Sequence, residues 1–144
     1  MLYRIMPEKF NPKLEVAGGF IECGGEFILL HRQDHKAQGD TWGIPSGKIH
    51  DGENPRDAAC RETAEETGVI ISRDHMGYFA TVYVRYPDYD FIYHIFHAKI
   101  KRKAEIEINR NEHKDAKWVS PQDALRMPLI GDLGTCIKLF FQNT

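Results

Sequence analysis

Apolar residues recur along this chain at two spacings, and the spacings separate strands from helices. Residues 14 to 22 and 26 to 32 are short apolar runs flanking Cys23-Gly24-Gly25, which predicts two strands joined by a tight hairpin. Within the first run, the paired Gly18-Gly19 predicts a bulge or a close ligand approach. Gln33 to Ser46 is polar and glycine-bearing and reads as a loop. Residues 76 to 85 and 91 to 100 predict a second strand pair around Tyr86-Pro87-Asp88-Tyr89-Asp90, and Lys117 to Val119 a short last strand. Ser120 as N-cap, with Pro121 and Asp123 behind it, starts a helix. Leu133, Cys136, Ile137 and Phe140 stand at i, i+3, i+4 and i+7, the stripe of a final amphipathic helix. Strands with helices interspersed place the chain in the α/β class.

One more helix carries the chemistry. Asn54 is a good N-cap, Pro55 suits the first helical position, Asp57 complements the positive helix start and Gly68 suits the position past the end, so residues 55 to 67 are predicted helical. At about 100° per residue, Glu62, Glu65 and Glu66 share one face, while Ala59, Cys60, Thr63 and Thr67 form a small-residue face opposite. Like charges at i,i+4 cost roughly 0.2–0.5 kcal/mol on an exposed helix. A bound cation would reverse that sign. Carboxylate oxygens are hard ligands that suit Mg²⁺, Mn²⁺ or Ca²⁺ rather than zinc, and Mg²⁺ typically takes one or two carboxylates plus substrate phosphates. The cluster therefore points to phosphate-ester chemistry.

Residues 47 to 69, GKIHDGENPRDAACRETAEETGV, resemble the signature of the Nudix hydrolases, which cleave nucleoside diphosphates linked to another group. Gly47, Glu53, Arg61, Glu62, Glu65, Glu66, Gly68 and the apolar Val69 all stand in place. Thr63 departs from the usual aliphatic residue, and Ser46 from a frequent glycine in the lead-in Trp42-Gly43-Ile44-Pro45-Ser46. The box is highly specific; a weaker resemblance runs over roughly residues 14 to 125. It implies an αβα sandwich around a central mixed sheet and a Mg²⁺ cofactor, with Mn²⁺ as substitute. By the same resemblance, Glu62, Glu65, Glu66 and the Gly47 carbonyl hold metal, Glu53 supports them, Arg61 bridges the glutamates, and Arg32 reaches substrate phosphate. Glu112 and His113 come from a region that supplies a general base or further ligand.

The reaction expected is water attack on phosphorus of a nucleoside diphosphate-linked substrate, a nucleoside triphosphate first among them. An alternative is a nucleotide-sugar hydrolase resembling the GDP-mannose mannosyl hydrolases, with His113 as base toward sugar carbon; the intact Glu65 and Glu66 oppose it. Another is a non-catalytic nucleotide-binding Nudix module, which the intact box also opposes. Trp42, Phe79, Tyr83, Phe91 and Tyr93 are aromatics able to stack on a base, Phe79 being the one assigned to substrate.

Composition narrows partners more than chemistry. A chain of 144 residues with 42% hydrophobic residues fits a single domain over 1–144. A net charge of −2 offers no broad attraction to long nucleic acid, so the partner expected is a small nucleotide or nucleotide sugar met by local cations. The three cysteines show no C-x-x-C pair, which suits reduced thiols and a cytoplasmic setting. Neither a secretory h-region nor a run of about 18 apolar residues occurs, so no membrane association is expected. A homodimer is common in the family the box resembles.

Overall fold

The computed structural model describes residues 1–142. Its strands are β1 (Leu2–Tyr3), β2 (Pro12–Cys23), β3 (Glu26–Arg32), β4 (Trp42–Gly43), β5 (Ser46–Lys48), β6 (Gly77–Arg85), β7 (Asp90–Lys99) and β8 (His113–Val119). The helices are α1 (Pro55–Thr67), α2 (Pro121–Ala124) and α3 (Leu133–Phe141), with a 3₁₀ turn at Arg73–His75. All eight strands join one sheet in the order β1-β6-β7-β2-β3-β4, with β5 added to β2 and β8 to β3. The sheet is mixed, because β2 and β7 run parallel while the other pairs are antiparallel.

Both predicted hairpins form. Gly24 and Gly25 sit at φ of 59° and 81°, the left-handed backbone that a two-residue turn between twisted strands requires, and Cys23 pairs with Glu26 across it. The second pair, β6 and β7, aligns Arg85 with Asp90. Where the sequence reads as a loop from Gln33 to Ser46, β4 and the start of β5 form instead, as the chain adds short edges to β3 and β2. Strand β8 likewise begins at His113, four positions before the apolar pattern starts, because Asp115 and Lys117 face outward in alternation with the half-buried Lys114, Ala116 and Trp118. The dipeptide β1 carries no sequence pattern of its own and forms by pairing with β6.

Each face of the sheet carries a helix, giving an αβα sandwich. On one face Phe20, Phe27, Leu29 and Ile95 pack against Ile137 and Phe140 of α3, with the Phe20 and Phe140 rings stacked at 4.6 Å. On the other, Ala17, Ile21, Ile28 and Leu30 pack against Ala58 and Ala59 of α1. The buried face of α1 is thus Ala58, Ala59, Thr63 and Thr67, and Cys60 is only partly covered, a shift of the small-residue stripe from the one the sequence suggested. Small side chains there bring the helix close to the sheet. Gly18-Gly19 carries no bulge; β2 pairs with β7 in unbroken register from Leu14 to Glu22. Instead a Cβ at Gly18 would lie 2.4 Å from the Ser46 side chain and 2.9 Å from the Tyr93 hydroxyl, so glycine lets β5 and β7 close over β2.

The ends of α1 are capped as read from the sequence. The Asn54 side chain accepts from the Arg56 N–H at 2.9 Å, and Gly68 at φ 76° donates to the Ala64 carbonyl. That pins the glutamate face of α1 directly after β5. Among the described residues no helix is long and apolar enough to cross a membrane.

Candidate active site

Arg61 organises the box. Its Nε and Nη2 donate to both oxygens of Glu53 at 2.9 and 3.0 Å, a bidentate fork, and Nη2 also reaches the Lys48 carbonyl at 3.0 Å. Nη1 donates to Glu62 Oε1 at 2.8 Å and more distantly, at 3.3–3.4 Å, to Glu65. Glu53 further accepts the His50 N–H at 3.0 Å. The guanidinium hydrogen bond, before any other cause, holds the Glu53 carboxyl at about 2. Arg61 is in turn held above its usual range, chiefly by Glu53. Arg61 thus bridges the glutamates, with Glu53 and Glu62 its closer partners and Glu65, its i,i+4 neighbour, the more distant one.

Glu62 and Glu66 behave in the opposite way. Burial raises the Glu62 carboxyl, and Arg61 only partly offsets this. Burial raises Glu66 well above the ordinary carboxylate range, the charge of Glu62 adds to it, and the Ser46 N–H, bonded to Glu66 Oε2 at 3.0 Å, opposes it. Gly47 sits against Glu62, since a Cβ there would fall 2.2–2.5 Å from the Glu62 carboxylate. The three box glutamates are therefore unequal. Glu65 is 57% exposed against 13% for Glu62, so it stands at the rim.

The donor set fits a hard cation, because two half-buried carboxylates with raised proton affinity stand together, and a Cβ-free glycine leaves room for that of Glu62. Among the described residues no three His, Cys, Asp or Glu side chains already converge at metal-ligand spacing, and Glu65 would have to leave Arg61 to complete such a group.

Glu66 also lines a cavity of about 250 Å³. Arg32, Ser46, Gly47 and His113 line it beside Glu66, and Tyr86, Tyr89, Phe91 and Tyr93 contribute its aromatic wall. Arg32 is steadied by its Nε donating to the Ala37 carbonyl at 2.9 Å. Gln38, in the left-handed region at φ 51°, accepts the Gly131 N–H at 2.8 Å and joins the loop after β3 to the connection before α3. Tyr86 donates to the Gly131 carbonyl at 3.3 Å.

His113 is 4% exposed, and its Nδ1 finds no hydrogen-bond partner among the described residues. Leaving a buried polar group unpaired costs about 1–3 kcal/mol. Burial, followed by the positive charge of Arg32, pushes the ring down to about 4, with Glu112 opposing and Lys36 reinforcing. The ring is neutral at ordinary pH.

Of the residues read from sequence as site candidates, Arg32, Gly47, Glu66 and His113 meet at the cavity, and Glu53, Arg61, Glu62 and Glu65 form the adjoining cluster. Glu112 lies outside the lining, with Lys36 at 3.0 Å from its carboxylate. Phe79 is a correction: its half-buried ring packs edge-on against Phe140 at 4.9 Å, at the margin of the core, and does not line the cavity. Trp42 stacks on His31 at 4.2 Å and Tyr83 meets Phe10, so only Phe91 and Tyr93 of the five proposed aromatics reach the lining. Tyr86, Tyr89, Gln38 and Gly131 were missed. Two tyrosines flanking a Pro-Asp turn were the available signal for the first two; nothing in the local pattern marks the others.

A family model described as NUDIX domain matches residues 12–140. The CTP pyrophosphohydrolase of Escherichia coli (strain K12) is 28% identical over 116 residues, covering 81% of this chain and 82% of that protein. A stretch of 36 residues is 61% identical to the m7GpppN-mRNA hydrolase dcap-2 of Caenorhabditis elegans, but covers 25% of this chain and 5% of that protein. Among solved structures, the MutT protein from Methanosarcina mazei Go1 superposes with a TM-score of 0.81 at 23% identity, covering 92% of this chain and 96% of that one. At that identity the likeness speaks for the fold.

Proposed function

The chain belongs to the Nudix family, hydrolases acting on nucleoside diphosphate-linked substrates, and within it we propose a Mg²⁺-dependent pyrophosphohydrolase whose substrate is a nucleoside triphosphate. One observation carries this reading: Glu66 belongs both to the half-buried carboxylate pair and to the lining of the cavity that Tyr86, Tyr89, Phe91 and Tyr93 share. A nucleoside seated among Tyr86, Tyr89, Phe91 and Tyr93 would thus have its phosphates at Arg32 and Glu66. Base stacking on such rings contributes about 1–3 kcal/mol per base. The name of the Escherichia coli relative agrees with a triphosphate substrate.

In this reading Glu62 and Glu66 hold the cation, with Glu65 and the Gly47 carbonyl completing its surroundings. Bound there, the cation supplies charge neutralisation at phosphate oxygens and makes an attacking water more acidic. Arg61, fixed by the Glu53 fork, sets the position of Glu62. Arg32, in the cavity's lining, offers a guanidinium to phosphate. Displacement at phosphorus is favoured over attack on a sugar carbon, because a His113 ring held near 4 is a poor proton acceptor at neutral pH.

The test is a hydrolysis panel of nucleoside triphosphates, dinucleoside polyphosphates and nucleotide sugars, with and without Mg²⁺, in ¹⁸O-water. The expected products are a nucleoside monophosphate and pyrophosphate, with label in one of them. Label confined to a released sugar would replace this reading with carbon attack, and no metal-dependent turnover on any member would remove it.

A further inference from the structure

The two half-buried carboxylates of the candidate cation site are held by different means. Glu62 takes its donor from Arg61, which the Glu53 fork fixes in turn. Glu66 is met by a backbone donor, the Ser46 N–H at 3.0 Å. Such a donor is aimed only as well as the strand that carries it, and β5 is three residues long. The place of Ser46 must therefore be set by what packs on it.

The packing around Gly18 does this. Ser46 pairs with Gly18 on one side of β2, while Tyr93 stands on β7 along the other side, opposite Val16. A Cβ on Gly18 would lie 2.4 Å from the Ser46 Cβ, 2.7 Å from the Pro45 carbonyl oxygen and 2.9 Å from the Tyr93 hydroxyl. The Tyr93 side chain thus reaches across β2 to the start of β5, through space that a side chain on Gly18 would fill. Ser46 Oγ donates to the Ile44 carbonyl at 3.2 Å, which leaves its lone pairs free to accept. Burial pushes the Tyr93 phenol up, and a hydrogen bond with the Ser46 side chain opposes the rise. The phenol is neutral and can donate to Ser46 Oγ.

With Glu66 read as a cation ligand, we propose that Ser46 and Tyr93 are positioning residues for it: the Tyr93 hydroxyl, bonded to Ser46 beside Gly18, fixes the first residue of β5 so that its N–H meets Glu66. They do for Glu66 what Glu53 and Arg61 do for Glu62. Neither side chain needs to touch the cation or the reacting atoms in this role.

The experiment uses the full chain without nucleotide. Mn²⁺ binding to the metal-free protein is measured by electron paramagnetic resonance, and Ser46 amide exchange by NMR, for Tyr93→Phe, which keeps the ring, and Ser46→Ala, which keeps the Cβ. Each variant is expected to bind Mn²⁺ about three- to tenfold more weakly, the effect of one lost hydrogen bond, and the double variant no more weakly than Ser46→Ala alone, because both changes remove the same contact. Ser46 amide exchange should quicken by a similar factor in Tyr93→Phe. Once Glu66→Gln is in place, adding Tyr93→Phe should change the residual Mn²⁺ affinity by less than about twofold. An affinity in Tyr93→Phe within about twofold of the unaltered chain overturns the proposal and leaves the cation reading standing. A loss that persists in full in the Glu66→Gln background overturns it too, since the hydroxyls would then act elsewhere. Failure of the unaltered chain to bind Mn²⁺ rejects the assignment of Glu66 to the cation and this proposal with it. Tyr93→Phe decides the matter if Ser46→Ala does not fold.

Discussion

The two ends of the glutamate cluster formed by α1 and the turn before it teach by contrast. At one end Glu53 is matched by a guanidinium on both oxygens, its acidity strengthened and its position set. At the other, Glu66 has a single backbone donor, is half-buried with its carboxyl desolvated, and feels Glu62 as a like charge. The same residue type, on the same short segment, is neutralised by the protein in one place and left short of positive charge in the other. Under the proposed function, the satisfied carboxylate is a frame and the underserved one a binding position. Glu53 and Arg61 are the frame.

The largest expected effect tests that division directly. Glu66→Gln keeps the shape but removes charge where a cation and phosphate would meet, so turnover should fall by at least about 10²-fold with the fold intact by circular dichroism. Near-normal turnover at saturating Mg²⁺ would erase the distinction between the two ends. Glu65→Gln is expected to cost turnover by a similar factor if Glu65 leaves Arg61 to join the cation; a loss of less than about threefold would leave it at the rim.

Next comes Gly47→Ala. The new Cβ would sit within 2.2–2.5 Å of the Glu62 carboxylate, so that side chain must move. Because the moving group is a flexible carboxylate, stability should fall by no more than about 1–3 kcal/mol. Turnover should fall further than stability would explain. A variant with full activity would show that the position of Glu62 is unimportant.

The pH dependence of stability separates the ends by sign. Glu53 drops from its ordinary 4.5 to about 2, so its stabilising contribution is present above 4.5 and lost as pH falls toward 2. Glu66 is raised from 4.5, so its favourable protonated form persists below 4.5 and its contribution is lost as pH rises through the raised value. In metal-free buffer at neutral pH, Glu53→Gln should therefore lower Tm and Glu66→Gln should raise it, each by a few degrees, on the order of 2–5 °C. The penalty of the first should shrink between pH 4.5 and 2, and the gain of the second should vanish below 4.5. Equal signs for the two variants would break the comparison.

The smallest effect is on ligand-linked stability. Mg²⁺ should raise the melting temperature of the unaltered protein by mass action, and the Glu62→Gln/Glu66→Gln pair should blunt that rise. A response of full size in the double variant places the cation elsewhere.

How much of this was legible beforehand differs between the box and the cavity. Asn54, Pro55 and Gly68 announced α1, and the order of Glu53, Arg61, Glu62, Glu65 and Glu66 announced the frame, since all of these act within one turn-helix unit. The pairing of Arg61 was harder, because helical spacing offers Glu65 while the stronger fork lies in the preceding turn. Phe79 shows the limit for aromatics. Along β6 it looks as suitable for a ligand as its neighbours, yet strand pleating and the position of α3 aim it at Phe140. Tyr86 and Tyr89, in an unpromising turn, reach the cavity.

Local periodicity and spacing by themselves determined the strands of both hairpins, the amphipathic α3 and the carboxylate helix, for these depend on residues a few positions apart. Only the tertiary structure decided which glutamate is buried, which aromatics face the cavity, and that His113 enters β8 opposite Arg32 with a nitrogen unpaired. Burial, and with it the raised Glu62 and Glu66 and the lowered His113, arises when β5, α1 and β8 meet around β2 and β3. The physical reason is that desolvation and pairing are set by neighbours distant in sequence, about which a side chain's own segment carries no information.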